Sequence, residues 1–523
     1  MEKHRVSGGA VKEAAMVSAT PPTVRCLRGK ARSVPLATDA MPNELAEYLA
    51  QFYSVFGRLE TFENACNYVL GLLSDLSRKN GEKMTEAIEG IHNTEAVHRL
   101  MALSPWLAEE LDRLRVGHAL CHATSAEQEA ALILDEVSQV KQGKASVGVK
   151  RQYLGSEGKT ANGQVAVTAH YYDGCFDWPV MGRLYLPQDW AEDEQRRAKA
   201  GVPQEVSFAT KAEIALDLVR RARIWGVPFR WVLMDAGYDD LDVLIELERL
   251  ELAFCIGIKR DFMVRVPEEV EQWVPPPPIG RGRPRKHVDP RSLPSVYRVD
   301  DVLAALPESI WRSVTYRQGT TGPLTKEFAA LRVHCATTKR IGPDVWLLFE
   351  RPLSGDRGEF KNYVVSARRE ISLDELAQVA HRRPLIERNS YENGKGEVGL
   401  RDYQGRSWRG FHHHLALAML ALTWLNLQRQ TLPSDPRADE PPAPPRECES
   451  PVPPAKLTLP LGKRSLRFEV ARPSDIDLPI PRQIWESVQE VRRRFVDWCA
   501  ITVQLALAQR GTLLPRPAFV RLC

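Results

Sequence analysis

Apolar residues recur at three- and four-residue spacing between about residues 43 and 124, in "ELAEYLAQFYSVF", "FENACNYVLGLLSDL" and "NTEAVHRLMALSPW". That is the period of helices with one buried face, and it predicts an all-helical N-terminal region. At about residue 130 the texture changes. "AALILDEV" (130–137) is a short apolar run ending in acid, and "KASVGVKRQYL" and "GQVAVTAHYY" alternate apolar and polar residues with turn residues between them. These three predict an antiparallel meander. "TKAEIALDLVRRARIWG" (210–226) is a predicted helix with Gly226 as its stop. "FRWVLMDAG" then reads as a strand, "DDLDVLIELERL" as a helix and "LAFCIGIK" as a strand. The order β-β-β-α-β-α-β is that of a mixed α/β domain.

Near residue 262 the pattern breaks. "VPPPPIGRGRPRKHVDP" fits neither sheet nor helix, because proline removes backbone donors and clustered arginines resist burial. Strand-like runs resume in "LRVHCATT", "DVWLLFERPL" and "KNYVVSA", and a long helical region over about 372–430 follows. The Pro-rich "PPAPPRECESPVPP" reads as a linker. "PRQIWESVQEVRRRFVDWCAITVQLALAQR" reads as a terminal helix with a basic turn.

Composition adds limits. The 523 residues are 43% hydrophobic and 26% charged, ordinary for a globular chain of two or three domains. A formal net charge of +4 leaves nucleic acid open as a partner without arguing for it, so local clusters must decide. The first 35 residues carry seven Lys/Arg against two Glu and read as a basic tail. Nine dispersed cysteines without a CxxC pair point to a reducing cytoplasm. The N-terminus lacks the apolar stretch of a secretory signal. The most apolar run, "LALAMLALTWL" (415–425), is far below the roughly 20 residues a bilayer requires and reads as a buried helix, so no membrane partner is expected.

The candidate chemistry begins with two acids. Asp135 and Asp235 each stand at the end of a short apolar run. If the first and fourth predicted strands lie side by side, both carboxylates emerge at one end of the sheet, where their repulsion invites a divalent cation. Glu387, in "RRPLIERNSYENGKGEVGL", could complete an all-oxygen set suited to Mg²⁺ or Mn²⁺. Two such ions, about 3.5–4 Å apart, would activate a water or 3′-hydroxyl and steady the departing oxygen of a phosphodiester. Taken alone, Asp235 before Ala-Gly is as good a turn former as a ligand, and Glu136 stands beside Asp135.

Other residues carry a plain and a functional reading. Arg383 and Lys395 are either solvated helix charges or grips on a phosphate. Arg406, Trp408 and Arg409 in "GRSWRGF" form a basic-aromatic patch able to stack on bases, although Trp408 serves equally as a core anchor. His412, His413 and His414 lack further partners at zinc spacing and read as capping or polar-face residues. "GRGRPRK" (280–286) has the make-up of an AT-hook, with Arg281, Arg283 and Arg285 suited to a narrow minor groove.

Five stretches together carry a resemblance: "ILDEVSQVKQGKASVGVKRQY", "RLYLPQDWAEDEQRRAKAGVP", "WVLMDAGYDD", "PPPPIGRGRPRK" and "KGEVGLRDYQGRSWRGFHHHLALAMLA". The chain resembles the DDE transposases of bacterial insertion sequences, and is similar in particular to the IS701-type family within the IS4-related group. The resemblance implies an RNase H-like mixed-sheet core with a β-rich insertion between the second Asp and the Glu, plus an all-helical N-terminal domain. It makes Asp135, Asp235 and Glu387 the catalytic metal ligands. It also implies a Tyr-Arg-Glu-Lys signature, in which Arg383 and Lys395 hold the Arg and Lys positions. Ala380 stands at the Tyr position, the first-Asp motif reads "DEVS", and seven residues separate Glu387 from Lys395 instead of six. One added residue turns a helix by about 100°, so Glu392 competes with Glu387 as third ligand.

The expected organisation is therefore a basic tail over 1–35 and a helical DNA-binding domain over 36–125. The catalytic core then runs over 126–262 and 341–430, the latter with the glutamate helix, around an insertion over 263–340. A Pro-rich linker over 431–460 and a helical tail over 461–523 complete it. The implied partners are double-stranded DNA, as terminal inverted repeats and target, and a second copy in a homodimer. The implied setting is the bacterial cytoplasm and nucleoid, with Mg²⁺ or Mn²⁺, two ions, as cofactor. The rival reading, motivated by "DEVS" and Ala380, is a DNA-binding protein derived from such an enzyme that no longer cuts.

Overall fold

The computed structural model describes residues 43–88, 93–123, 130–174, 176–267, 296–319, 322–386 and 392–431, with short pieces at 460–461, 464–465, 492–493 and 495. The 1–35 tail, the basic loop bearing Arg281, Arg283 and Arg285, Glu387, and most of 431–523 lie outside the described residues.

The first described stretch is helical, as its periodicity predicts: Asn43–Ala50, Tyr53–Phe56, Leu59–Leu73, Gly81–Ala87, Thr94–His98 and Ala108–Leu120, with a π-type turn at Arg99–Leu103. Local chemistry sets the ends. Asn80 and Asn93 accept the backbone N–H groups of Lys83 and Ala96 as N-caps, and Gly57 ends the second helix with φ +67°.

Twelve strands form one mixed sheet. They are β1 (Ala131–Val140), β2 (Lys150–Leu154), β3 (Lys159–Tyr172), β4 (Asp177–Leu184), β5 (Trp231–Met234), β6 (Ala253–Gly257), β7 (Met263–Arg265), β8 (Val296–Arg298), β9 (Arg312–Gly319), β10 (Gly322–Ala336), β11 (Ile341–Arg351) and β12 (Lys361–Val365). Their order is β2-β3-β1-β5-β6-β12-β11-β10-β7-β8, with β4 on β3 and β9 on β10. The predicted meander is thus reordered. β1 pairs antiparallel with β3 along its whole length and parallel with β5, and β2 pairs with β3 instead. The reason is burial: residues 130–134 are wholly inaccessible, so this run belongs inside a sheet with cover on both faces rather than at a meander's edge.

β4 escaped sequence reading because Pro179 and Gly182 mask its alternation. Gly182 has a packing reason. A Cβ there would come within 2.8 Å of Thr168 Cγ2 and 2.9 Å of Leu415 Cδ2, so its absence lets a helix close on the sheet. That helix, Trp408–Thr431, is buried on all sides from His413 to Leu427, as "LALAMLALTWL" anticipates. The predicted long helical region is in pieces, Leu373–Ala380, Arg383–Ile386, Glu392–Glu397 and Trp408–Thr431. Pro384 cannot continue a preceding helix, and Gly399, at φ +61°, ends the third piece. The strands expected after residue 330 are β10, β11 and β12, and β12 joins them to the earlier strands by pairing antiparallel with β6.

Buried polar groups tie the helices to the sheet. Arg115 is fully buried in an ion pair with Asp112 at 2.7 Å, and it donates to the carbonyls of Pro179 and Val180 and to Thr423 Oγ1. His413 stacks on Trp106 with ring centroids 3.6 Å apart, and its Nε2 donates to the Trp106 carbonyl. The Tyr68 hydroxyl donates to His414 Nδ1 at 2.9 Å, while His414 Nε2 donates to the Gly399 carbonyl. His413 and His414 are therefore interior, not a polar face, and His412 is half-buried.

Arg115→Met leaves Asp112 buried without its partner. It is expected to cost about 3–5 kcal/mol, read as a drop in the urea midpoint at unchanged slope. Burial also pulls His412, His413 and His414 from the usual 6.5 down to about 4. Between those values the unfolded chain binds protons that the folded one refuses, so stability is lost as pH falls from about 6.5 toward 4. Each imidazole contributes a slope of up to about 1.4 kcal/mol per pH unit, measurable by denaturant titrations across that window.

Candidate catalytic site

β1 and β5 run parallel in the register Ala131↔Trp231, Leu132↔Val232, Ile133↔Leu233. Continued by two residues, that register sets Asp135 level with Asp235. The expectation that the first and fourth predicted strands are neighbours therefore holds. A detail does not: Asp135 is mid-strand, because pairing with β3 carries β1 on to Val140. Asp235 follows the last residue of β5 and opens the short 3-10 turn Ala236–Tyr238.

One oxygen of each carboxylate is used locally. Asp135 Oδ1 accepts the Glu136 N–H at 2.7 Å, and Asp235 Oδ1 accepts the Gly237 N–H at 2.9 Å. Turn formation and ligation are thus compatible in Asp235. Gly237 is what leaves room, since a Cβ there would lie 2.9 Å from Asp235 Oδ1. Gly257, ending β6, likewise lets the Asp235–Ala236 backbone approach, a Cβ there meeting Ala236 N at 3.2 Å.

The other oxygens share a cation. Arg383 Nη2 lies 3.4 Å from Asp135 Oδ2 and 3.8 Å from Asp235 Oδ2. Arg383 is delivered by the Arg383–Ile386 helix, just past the capped Leu373–Ala380 helix, whose Ser372 and Glu375 form a capping box. Glu136 is engaged elsewhere, its Oε2 2.7 Å from Lys211 Nζ. Burial pushes the Glu136 pKa up, with Lys211 opposing and the Asp235 charge adding to the rise.

These are hard oxygen donors converging on one positive charge, the donor chemistry that Mg²⁺ or Mn²⁺ accepts. Among the described residues no third acidic or imidazole side chain joins them in a metal-binding cluster. Glu387 lies outside the described residues, one position beyond the Arg383–Ile386 helix, and Glu392 begins the Glu392–Glu397 helix. Lys395 is half-buried, and its charge helps lower the pKa of His170 on β3, after burial itself and Arg115. Arg406, Trp408 and Arg409 stand at and just before the start of the Trp408–Thr431 helix. The Arg406 carbonyl accepts the Val147 N–H, Trp408 packs 4.4 Å from His412, and Arg409 donates to the Leu103 carbonyl. None of these four lines the cavity beside Asp235.

That cavity, of about 430 Å³, includes Asp235, Arg383 and Tyr363 in its lining. Behind Tyr363 lies a polar cluster that sequence reading missed. The buried Glu350 carboxylate accepts from Tyr363 OH at 3.0 Å, from His381 Nε2 at 3.0 Å and from Lys326 Nζ. Burial alone would raise the Glu350 pKa, but His381 and Lys326 hold it down at about 2. Its only trace in the sequence is a glutamate closing the apolar run "VWLLFE".

Comparison with known proteins places these features in context. The family model of the DDE superfamily endonucleases matches residues 51–323, a span that includes both aspartates and stops before Arg383. The probable transposase for insertion sequence element IS701 of Microchaete diplosiphon is 30% identical over 222 residues, 42% of this chain and 55% of that protein. The chain thus spans about half the length of the curated relative it matches. Among solved structures, the piggyBac transposase synaptic complex with hairpin DNA aligns with TM-score 0.36 and 11% identity, covering 76% of this chain and 73% of that one.

The shared cation makes a measurable prediction. In metal-free buffer, Arg383→Ala is expected to lose about 1–3 kcal/mol, between a surface and a buried ion pair. Millimolar Mn²⁺ should restore more stability to the variant than it adds to the parent. Equal losses with and without Mn²⁺ in thermal melts would show that the two aspartates do not answer to one cation.

Proposed function

The chain belongs to the DDE superfamily of endonucleases, with the IS701 element's transposase among its relatives, and from that premise we propose that it is a DDE transposase acting on insertion-sequence ends. The observation that carries the reading is the level placement of Asp135 and Asp235 on adjacent parallel strands, both facing one cation. In this proposal Asp135, Asp235 and Glu387 are the catalytic carboxylates, set in an RNase H-like core preceded by a helical DNA-binding domain. When bound, two Mg²⁺ or Mn²⁺ ions would supply charge to the attacking and departing oxygens of the phosphodiester.

The chain's own residues do the rest. The carboxylates fix where the reactive oxygens sit, and the Gly237 N–H keeps Asp235 from swinging away. Arg383, which faces both aspartates, would offer its guanidinium to the phosphate beside the cut, with Lys395 as a second grip. Water cleaves the phosphodiester and frees a 3′-hydroxyl; in-line attack by that hydroxyl on a target phosphodiester forms the new P–O bond as the target strand's own 3′-oxygen departs, without a covalent enzyme intermediate. Arg281, Arg283 and Arg285 enter the minor groove, and Arg406, Trp408 and Arg409 contact the terminal DNA. The working form is a homodimer on paired ends in the nucleoid.

Purified full-length chain, a supercoiled plasmid carrying the element and Mg²⁺ provide the test. The parent should nick and join, while Asp235→Ala or Asp135→Ala should lose activity by about a thousandfold or more, the scale seen when a residue acting in a catalytic unit is removed. A variant that nicks as fast as the parent removes that aspartate from the catalytic set.

A further inference from the structure

The Glu392–Glu397 helix carries Lys395 but cannot hold its own place. It has six residues, "ENGKGE", and two of them are glycine. Isolated helices are marginal even at about twelve residues, and glycine weakens them further. The position of this one must come from contacts with the rest of the fold. Gly394 lies against the Trp408–Thr431 helix, where a Cβ would come within 3.2 Å of Leu422 Cδ2. Glu397 is gripped from the far end of the chain, its Oε2 accepting from Arg492 Nε.

Arg492 belongs to the run that reads as a terminal helix, and it bridges two other segments. Besides Glu397, it donates to Asp75 Oδ1 and, at 3.1 Å, to the Ser74 carbonyl, both just past the Leu59–Leu73 helix. Lys79 Nζ donates to the same carbonyl, and the Lys79 N–H donates to Asp402 Oδ2 at 3.0 Å. Phe495, from the same run as Arg492, stands edge-on to Trp424 with ring centroids 5.1 Å apart. The Arg492 and Glu397 side chains are only 14% and 12% exposed, so salt screens their pairing weakly. A planar guanidinium shared between two carboxylates and a carbonyl fixes direction as well as distance.

What the short helix presents is Lys395. Its charge is felt at His170, where it follows burial and Arg115 in lowering the pKa. His170 stands two residues along β3 from Thr168, the cross-strand partner of Asp135. Lys395 is thus within electrostatic reach of the part of the sheet that carries the first aspartate.

We propose that Arg492 is a positioning residue for strand cutting. By tying Glu397 to the N-terminal helices it fixes the Glu392–Glu397 helix, and so sets where the Lys395 ammonium meets the phosphate. The inference rests on the reading of Lys395 as a phosphate grip. A group misplaced by about 1 Å costs up to about a hundredfold in rate, so a salt bridge outside the site is enough to matter.

Full-length parent, Arg492→Ala, Lys395→Ala and the double variant are compared in single-turnover nicking of the element-bearing plasmid with Mg²⁺. Affinity for a duplex of the element's end is measured in EDTA by fluorescence anisotropy, and folding by thermal melts. Arg492→Ala should nick about tenfold more slowly or worse at saturating DNA. Its DNA affinity should be unchanged, because one phosphate contact is a small part of the total. Arg492→Lys should recover part of the rate. In the Lys395→Ala background, Arg492→Ala should cost nothing further, since the group it positions is gone. Glu397→Gln keeps the side-chain volume and should reproduce the loss, which keeps the test valid if Arg492→Ala fails to fold. An Arg492→Ala chain that nicks at the parent rate, or loses the same factor in both backgrounds, overturns the inference and leaves the cutting reading intact. A Lys395→Ala chain that nicks at the parent rate overturns the grip and the positioning role with it. A parent that does not nick overturns the cutting reading itself.

Discussion

Two like charges held level on adjacent strands are the constraint on which this architecture turns. Neighbouring strands lie about 4.8 Å apart. Two carboxylates at about that separation repel by roughly 3 kcal/mol at the effective dielectric of a partly buried site. The parallel pairing of β1 and β5 forces that proximity, and the chain meets it twice: backbone N–H groups of Glu136 and Gly237 each take one oxygen, and Arg383 spans the remaining two. A guanidinium in that position does what a bound dication would do for the same oxygens. Its helix is therefore tied to the sheet end by charge rather than by apolar packing alone.

Such a site needs a sheet that does not shear. The burial of residues 130–134 places β1 in the interior, and the Trp408–Thr431 helix clamps the sheet through β4. Arg115 then reaches from the N-terminal helices to two β4 carbonyls and to Thr423 on that clamping helix. The buried histidines at its start add stacked and hydrogen-bonded contacts to the same helices. Neutral imidazoles suit this role, because they bring polar contacts into the interior without a buried charge.

What the sequence made legible was what depends on local pattern. Helical periodicity gave the N-terminal helices, and the apolar run at 415–425 gave the buried clamp. Asp135 and Asp235 stood out as acids closing apolar runs. What stayed hidden depends on pairing partners. Nothing local to "KASVGVKRQYL" says that β1 skips past it to β3, and the proline and glycine in β4 disguise a strand whose purpose is a close helix approach. The Glu350 cluster draws on β10, β11, β12 and a helix residue, so no window of sequence contains it. Arg383 was noticed, but only the fold puts both aspartates within reach of one of its nitrogens.

The strands beyond residue 340, in the expected second part of the core, bear directly on the site. β12 pairs with β6, and the chain leaves β12 only to enter the Leu373–Ala380 helix and then the turn that delivers Arg383. The position of Arg383 relative to the aspartates is thus set from two directions: by β5 through Asp235, and by β12 through the helix that follows it. Glu350 on β11 reinforces the second route, since Tyr363 on β12 and His381 just after the helix both donate to its carboxylate. A carboxylate held ionised in a buried position binds its donors strongly because the surroundings offer no competing water. That cluster therefore works as a brace between strand and helix, and its geometry is inherited by the guanidinium two residues further along the chain.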